Sequence, residues 1–150
     1  MTSKKQIEEF LSTEKIAVVG VSGSKKKFGN IVFHDLKSKG YTAYPVNPKA
    51  REIEGEKCYP DLTSLSGIAE AAVLVVPPKV TDVVVQDALA AGIKKIWMQQ
   101  GSESKEAIKF CLENDIDVIT DHCILMFAQP AGFIHKAHKW ILNLTGQLPK

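Results

Sequence analysis

Alternating strand and helix patterns predict an α/β fold in which five strands form a mainly parallel, doubly wound sheet with helices on both faces. Two observations carry that reading. Short runs of small, β-branched or other apolar residues recur at 15–21, 42–46, 71–76, 95–98 and 117–120. The segments between them show helical spacing of apolar residues, and two of these stop at a glycine, Gly40 or Gly92.

Residues 3–12 read as a short amphipathic helix with Ile7, Phe10 and Leu11 on one face. The first strand, 15–21, holds the run Ile16 to Val19. Residues 29–39 read as a helix that buries Ile31, Val32, Phe33 and Leu36 and stops at Gly40. The second strand, 42–46, runs into Asn47-Pro48; Pro45 cannot donate to a ladder and belongs near the strand's end. Residues 49–60 are polar and contain Gly55, which predicts a loop with a brief extended piece at 56–59. Residues 62–66 predict a single helical turn. The run 71–76 is the clearest buried strand, ended by Pro77-Pro78. Helix 80–91, strand 95–98, helix 105–114 (capped by Ser102 or Ser104) and strand 117–120 follow. A last helix at about 133–144 would turn Phe133, Ile134, Ala137, Trp140, Ile141 and Leu144 inward. No repeat or linker interrupts the pattern, so residues 1–150 are expected to build one Rossmann-like domain.

Composition narrows the function classes. The net charge is +2, and apart from Lys25-Lys26-Lys27 the basic residues are scattered. That argues against a nucleic-acid partner, which calls for a basic stripe interleaved with aromatics. No apolar run reaches the length of a membrane span. The first ten residues carry charges at both ends and no apolar signal core, which argues against secretion and for a cytoplasmic protein. Three widely spaced cysteines, Cys58, Cys111 and Cys123, form no Cys-x-x-Cys and suggest neither a zinc site nor a disulfide framework.

In an open α/β sheet, ligands bind beyond the carboxyl ends of the strands. Those ends read Gly20-Val21-Ser22-Gly23-Ser24, Asn47-Pro48-Lys49, Val76-Pro77-Pro78, Gln99-Gln100-Gly101 and Asp121-His122-Cys123. A strand, a bare turn and a helix start bring backbone N–H groups to where a phosphate can sit. The dinucleotide fingerprint Gly-x-Gly-x-x-Gly is incomplete, because Ser22 replaces its second glycine and Gly29 comes too late. The acid that should close the second strand and hold a ribose diol is absent; Lys49 stands there and favours a phosphate. Both departures count against NAD and point to a ligand with an extra phosphate, a description that fits NADP and coenzyme A alike.

The ordered set Gly-Val-Ser-Gly-Ser, Pro-Val-Asn-Pro-Lys, Val-Val-Pro-Pro and Trp97-Met98-Gln99-Gln100-Gly101 resembles the stand-alone CoA-binding domain family. It is similar to the N-terminal domain of the succinyl-CoA synthetase alpha subunit and of ADP-forming acyl-CoA synthetases, over roughly residues 13–125. The resemblance implies a Rossmann-like fold that takes CoA or acyl-CoA. By that resemblance Gly20, Val21, Ser22, Gly23, Ser24 and Lys25 would cradle the pyrophosphate and neighbouring phosphate. Asn47, Pro48 and Lys49 would line the nucleotide end, with Lys49 on a phosphate. Val76, Pro77 and Pro78 would flank the adenine or the pantetheine arm, and Gln99 and Gly101 would border the arm's exit. The synthetases carry a second domain with a phosphorylated histidine, for which these residues leave no room. The resemblance therefore implies binding and does not carry ligase activity over.

Two other readings remain open on the sequence. One is an NADP-dependent oxidoreductase, disfavoured because no Tyr-x-x-x-Lys or comparable acid–base pair appears. The other is a CoA-binding subunit of an acyl-CoA ligase whose catalytic domains lie on separate chains. A homodimer or a partner ligase subunit is accordingly expected, with no metal. Cys123 reads as a small buried cysteine, although its place at a strand end would let a CoA thiol reach it. His34, His135 and His138 fall in helix patterns and read as surface residues.

Overall fold

The structure is a computed structural model that describes residues 2–23 and 27–129. Five parallel strands form the sheet: β1 (Lys15–Val19), β2 (Thr42–Val46), β5 (Ala71–Leu74), β6 (Lys95–Met98) and β7 (Asp117–Ile119). Their order is β2-β1-β5-β6-β7. A second sheet is a hairpin of β3 (Glu52–Ile53) and β4 (Glu56–Lys57), which pair antiparallel. The helices are α1 (Lys4–Leu11), α2 (Phe28–Ser38), α3 (Pro78–Ala90) and α4 (Lys105–Glu113). This is the doubly wound α/β fold that the alternating pattern predicts.

Both faces of the sheet are covered, and the strand residues alternate between two cores. Ile16, Val18, Val73 and Trp97 pack with Ile7, Phe10 and Leu11 of α1 and Val32, Phe33 and Leu36 of α2. Ala17, Val19, Leu74, Ile96 and Met98 pack with Val84, Val85 and Ala88 of α3 and Ala107 and Cys111 of α4. Trp97 meets the Phe10 ring edge-on at 5.3 Å, and its indole N–H donates to the His122 carbonyl at 2.8 Å.

Local signals set the boundaries. α1 opens on a capping box: Ser3 Oγ accepts from Gln6 N, and Gln6 Oε1 accepts from Ser3 N. Gly40 has φ +91°, and just past it Tyr41 N donates back to Leu36 O, which closes α2 in the left-handed stop that glycine permits. Ser104, not Ser102, caps α4 by accepting from Ala107 N. Pro77 is the N-cap of α3 and Pro78 its first residue, so the Pro-Pro pair ends one element and starts the next. Pro45 sits in the edge strand β2.

Two expectations need correction. Ile31 is 48% exposed rather than core, while Gly29 and Asn30 beside it are buried. The first turn of α2 packs its backbone against β1, which turns Asn30 inward and Ile31 out. The segment 49–60 is more ordered than a loop: β3 and β4 turn on Glu54-Gly55, and Ile53 is buried in the core. The helix predicted at 133–144, with His135 and His138, lies outside the described residues.

Candidate functional site

The chain runs from β1 outward to β2 and then crosses back to β5 on the other side of β1. The topological switch point therefore lies between the carboxyl ends of β1 and β5, where open α/β sheets bind ligands. Gly20 and Val75-Val76 occupy it. Gly20 has φ +112°, and a Cβ there would lie 2.1 Å from the Val75 carbonyl oxygen. Only glycine lets the two chains meet this closely.

The start of α2 closes on the same turn. A Cβ on Gly29 would lie 2.3 Å from the Gly20 carbonyl oxygen. Gly29 is thus the close-packing glycine that a phosphate-binding turn needs between strand and helix, despite its late position in the sequence. The positive end of the eleven-residue α2 is held against residues 20–22. Asn30, fully buried, fixes that contact: Ser22 N donates to its Oδ1 at 3.0 Å, and its Nδ2 donates to Ser22 O at 2.8 Å. Val21 is buried, Ser22 is half-buried and Gly23 is exposed. Ser24 and Lys25, which the resemblance assigns to the pyrophosphate, lie outside the described residues.

The other strand ends are tied to this turn or to each other by polar side chains. Asn47 Nδ2 donates to Val21 O at 2.8 Å, and Asn47 Oδ1 accepts from Lys49 N at 2.8 Å. One side chain thus fixes both the first turn and the Pro48-Lys49 bend, leaving Pro48 and Lys49 exposed. Val76 N donates to the buried Ser102 Oγ at 3.0 Å, and buried Thr81 Oγ1 donates to Ser102 O at 2.8 Å. Pro77 and Pro78 are exposed beside this anchor. Gln99 is almost fully buried, and its amide accepts from Ile124 N at 2.7 Å and reaches Cys123 Sγ at 3.4 Å. Gly101, with φ +92°, is exposed and donates its N–H to Glu103 Oε1 at 2.8 Å.

The structure therefore packs Gly20 against Val75-Val76 and ties Val21 and Ser22 to Asn47 and Asn30, and it leaves Gly23, Pro48, Lys49, Pro77 and Pro78 exposed. Gln99 instead braces the segment after β7 through Cys123 and Ile124. Cys123 is half-buried rather than buried, because it sits at the end of the sheet beyond β7. Burial pushes the Cys58 thiol up, against the lowering effect of contacts to the Asn47 and Tyr59 carbonyls. Sequence reasoning missed Gly29, Asn30, Thr81 and Ser102 as site-forming residues. A signal existed for one of them: Asn30 is a polar residue among the apolar positions of a helix start. Among the described residues, no helix is long and apolar enough to cross a membrane.

Known families and solved structures share this chain's sequence pattern and fold. The CoA binding domain family matches residues 14–129. An ADP-forming acetate–CoA ligase I of Archaeoglobus fulgidus is 26% identical over 130 residues, which takes in 80% of this chain and 19% of that protein. The chain thus spans about a fifth of that enzyme's length. The uncharacterized protein YneT of Bacillus subtilis is 31% identical over 123 residues, covering 81% of this chain and 91% of that one. Among solved structures, a conserved hypothetical protein from Pyrococcus furiosus superposes with a TM-score of 0.72 at 44% identity, covering 75% of this chain and 97% of that one. A dinucleotide-forming acetyl-coenzyme A synthetase 1 from Ca. Korarchaeum cryptofilum gives 0.66 at 29% identity, over 75% of this chain and 27% of that one. With the matched segment spanning all five strands and the switch-point turn, the chain belongs to the CoA-binding domain family.

Proposed function

We propose that this protein binds coenzyme A or an acyl-CoA across the carboxyl ends of its strands, as a binding module rather than a catalyst. The observation that carries the reading is the switch-point turn: Gly20 packed on Val75, Gly29 packed on Gly20, and Ser22 clamped from both sides by Asn30. A turn held this rigidly beside a helix N-terminus suits a pyrophosphate, because its backbone donors need no reorganisation when the ligand arrives. Exposed Lys49 supplies cationic charge at the bend after β2. The exposed Pro77 and Pro78, with Val76, offer flat apolar surface to an adenine or a thin pantetheine arm.

The polar side chains at the strand ends support binding over catalysis. Asn30, Asn47, Gln99 and Ser102 are engaged with backbone groups. They shape a cradle. Calorimetry with CoA, acetyl-CoA, NADP and NAD side by side tests the reading. Binding of CoA and acetyl-CoA, with neither NAD nor NADP bound, is the expected result. NADP binding without CoA binding at high micromolar concentration overturns it.

A second reading has an observation of its own. The acetate–CoA ligase II subunit alpha of Pyrococcus furiosus is 28% identical over 129 residues, 79% of this chain and 28% of that subunit. A protein serving as the CoA-binding part of a multi-chain ligase would co-purify with an ATP-grasp partner chain, and its absence from pull-downs in the native cell would remove that reading.

A further inference from the structure

The first turns of α2 carry two large apolar side chains out of the core: Phe28 is 41% exposed and Ile31 48%, one helical turn apart. The exposed row Phe28, Ile31, His34 and Lys37 winds around α2 by about 60° a step. Its far end meets the β3–β4 hairpin, where His34 pairs with Glu54 and Lys37 with Glu56. Its near end, Phe28 and Ile31, therefore lies on the flank turned away from the hairpin. That flank faces the other edge of the sheet. The hairpin follows β2 at one edge, and a 3₁₀ turn, Ile124–Met126, follows β7 at the other. This turn packs against α2, with Ile124 and Ala128 buried in the core that α2 also fills. Met126, between them in sequence, is 65% exposed. Among the described residues, Phe28, Ile31 and Met126 are thus left uncovered where α2 meets this turn.

The described chain ends at Gln129, directly after buried Ala128, so residues 130–150 leave the fold from the same place. Their sequence carries an apolar stripe in need of a cover. Phe133, Ala137, Trp140, Ile141 and Leu144 recur at helical spacing, with His135, Lys136, Lys139 and Asn143 between them. Only Pro130-Ala131-Gly132 separates Gln129 from Phe133, a reach of about 14 Å at most. The large exposed apolar residues of the other helices, Val80 and Val83 on α3 and Leu112 on α4, lie across the sheet, on its opposite face. The β7 edge between the two faces is already occupied. Thr2 Oγ1 accepts from Thr120 N at 3.0 Å, and Gln6 Nε2 donates to Val118 O at 3.4 Å. The α2 flank is the apolar surface within reach.

We propose that residues 133–144 dock as an amphipathic helix along this flank of α2, with their apolar stripe over Phe28, Ile31 and Met126. A helix over 133–144 is about 18 Å long, a match for the eleven-residue α2. The occupant is the chain's own C-terminal segment, because a tether of three residues holds the stripe beside the flank at high effective concentration, whereas a second copy has to be captured from solution. His135, Lys136, Lys139 and Asn143 stay in water. The docked helix covers the first turn of α2, whose Gly29 closes on Gly20. The C-terminal segment thereby buttresses the switch-point turn from outside.

The test uses the full chain and its two tryptophans, Trp140 and the fully buried Trp97. Acrylamide quenching of fluorescence is measured with and without Trp140→Phe, so that the difference reports Trp140. The backgrounds are the wild type, Ile31→Lys, Met126→Lys and, as a control on the opposite face, Val83→Lys. All three positions are exposed, so the variants keep the fold, which circular dichroism verifies. Trp140 is expected to be shielded in the wild type and in Val83→Lys. Ile31→Lys and Met126→Lys should raise its quenching severalfold and shift its emission to the red, with the protein monomeric by sedimentation equilibrium. Free quenching of Trp140 in the wild type overturns the proposal, as does shielding that survives both Ile31→Lys and Met126→Lys or is lost in Val83→Lys. A dimer whose dissociation on dilution exposes Trp140 gives the flank to a second copy and overturns docking within one chain.

Discussion

Replacing Gly29 by alanine probes the joint between the first turn and α2, on which the candidate site depends. The added Cβ would lie 2.3 Å from the Gly20 carbonyl oxygen, 2.7 Å from its carbon and 3.2 Å from Val21 N. Carbon and oxygen rest about 3.3 Å apart, so the start of α2 has to retreat by about 1 Å. All three neighbours are backbone atoms, so no rotamer change relieves the overlap. The retreat carries Asn30 with it, and its two bonds to Ser22, now 3.0 and 2.8 Å, pass out of hydrogen-bonding range. Overpacking costs about 1–3 kcal/mol, and two lost bonds add about 1 kcal/mol each. Alanine recovers roughly 0.5–1 kcal/mol as the better helix former, too little to reverse the sign. The expected net loss is about 2–4 kcal/mol. Urea unfolding followed by circular dichroism measures it, with Gly23→Ala as control. Among the described residues nothing lies within 4 Å of a Cβ on Gly23, so that variant should stay within about 0.5 kcal/mol of wild type. If Gly29→Ala proves as stable as Gly23→Ala, α2 does not close on the turn as described.

Three further outcomes are expected. Lys49→Ala should weaken CoA by roughly three- to tenfold and dephospho-CoA less; equal losses in calorimetry would move Lys49 off the phosphate. Ser102→Ala leaves the Val76 N–H, now 3.0 Å from Ser102 Oγ, without its partner, and should cost about 1–3 kcal/mol in urea unfolding. Tyr41, buried and facing the Asp35 carboxylate, has its phenol pushed up to about 12 from 10.0. The folded state holds that proton more tightly than the unfolded chain, so stability is intact below pH 10 and falls as pH rises towards 12, by up to about 3 kcal/mol. Tyr41→Phe should flatten that decline in urea titrations at successive pH values, at the cost of the Leu11 carbonyl bond.

The sheet was legible because its strands are short and mostly apolar, and the central β5 is buried along its whole length. Helix ends were legible where chemistry forces them: Gly40 and Gly92 at left-handed stops, Pro77-Pro78 at a helix start. The hairpin was not. Glu52-Ile53-Glu54-Gly55-Glu56-Lys57 holds one apolar residue, and two-residue strands have no period to read. Its order comes from Ile53 in the core and from the parallel bridge between Val46 and Tyr59, both tertiary contacts. Gly29 escaped for a related reason. A fingerprint counts residues along the chain, whereas packing depends only on where the ends meet, and Gly20 and Gly29 meet across a longer loop.

The same distinction changes what the polar residues at the strand ends mean. Read along the sequence, Asn47 and Gln99 stand where a ligand should be and look like contacts. In the fold their amides are committed to Val21, Lys49, Ile124 and Cys123. Asn30 and Ser102 are committed in the same way. A side-chain amide that satisfies backbone groups, two each for Asn30 and Asn47 and one for Gln99, cannot turn to a ligand without leaving them unpaired, at about 1–3 kcal/mol for each one buried. Recognition then falls to backbone donors, exposed prolines and cations, while the buried polar set fixes their positions. On that division of labour, isosteric changes at Asn30 or Gln99 should disturb stability and affinity together. A change at Lys49 should disturb affinity alone, because its side chain is exposed.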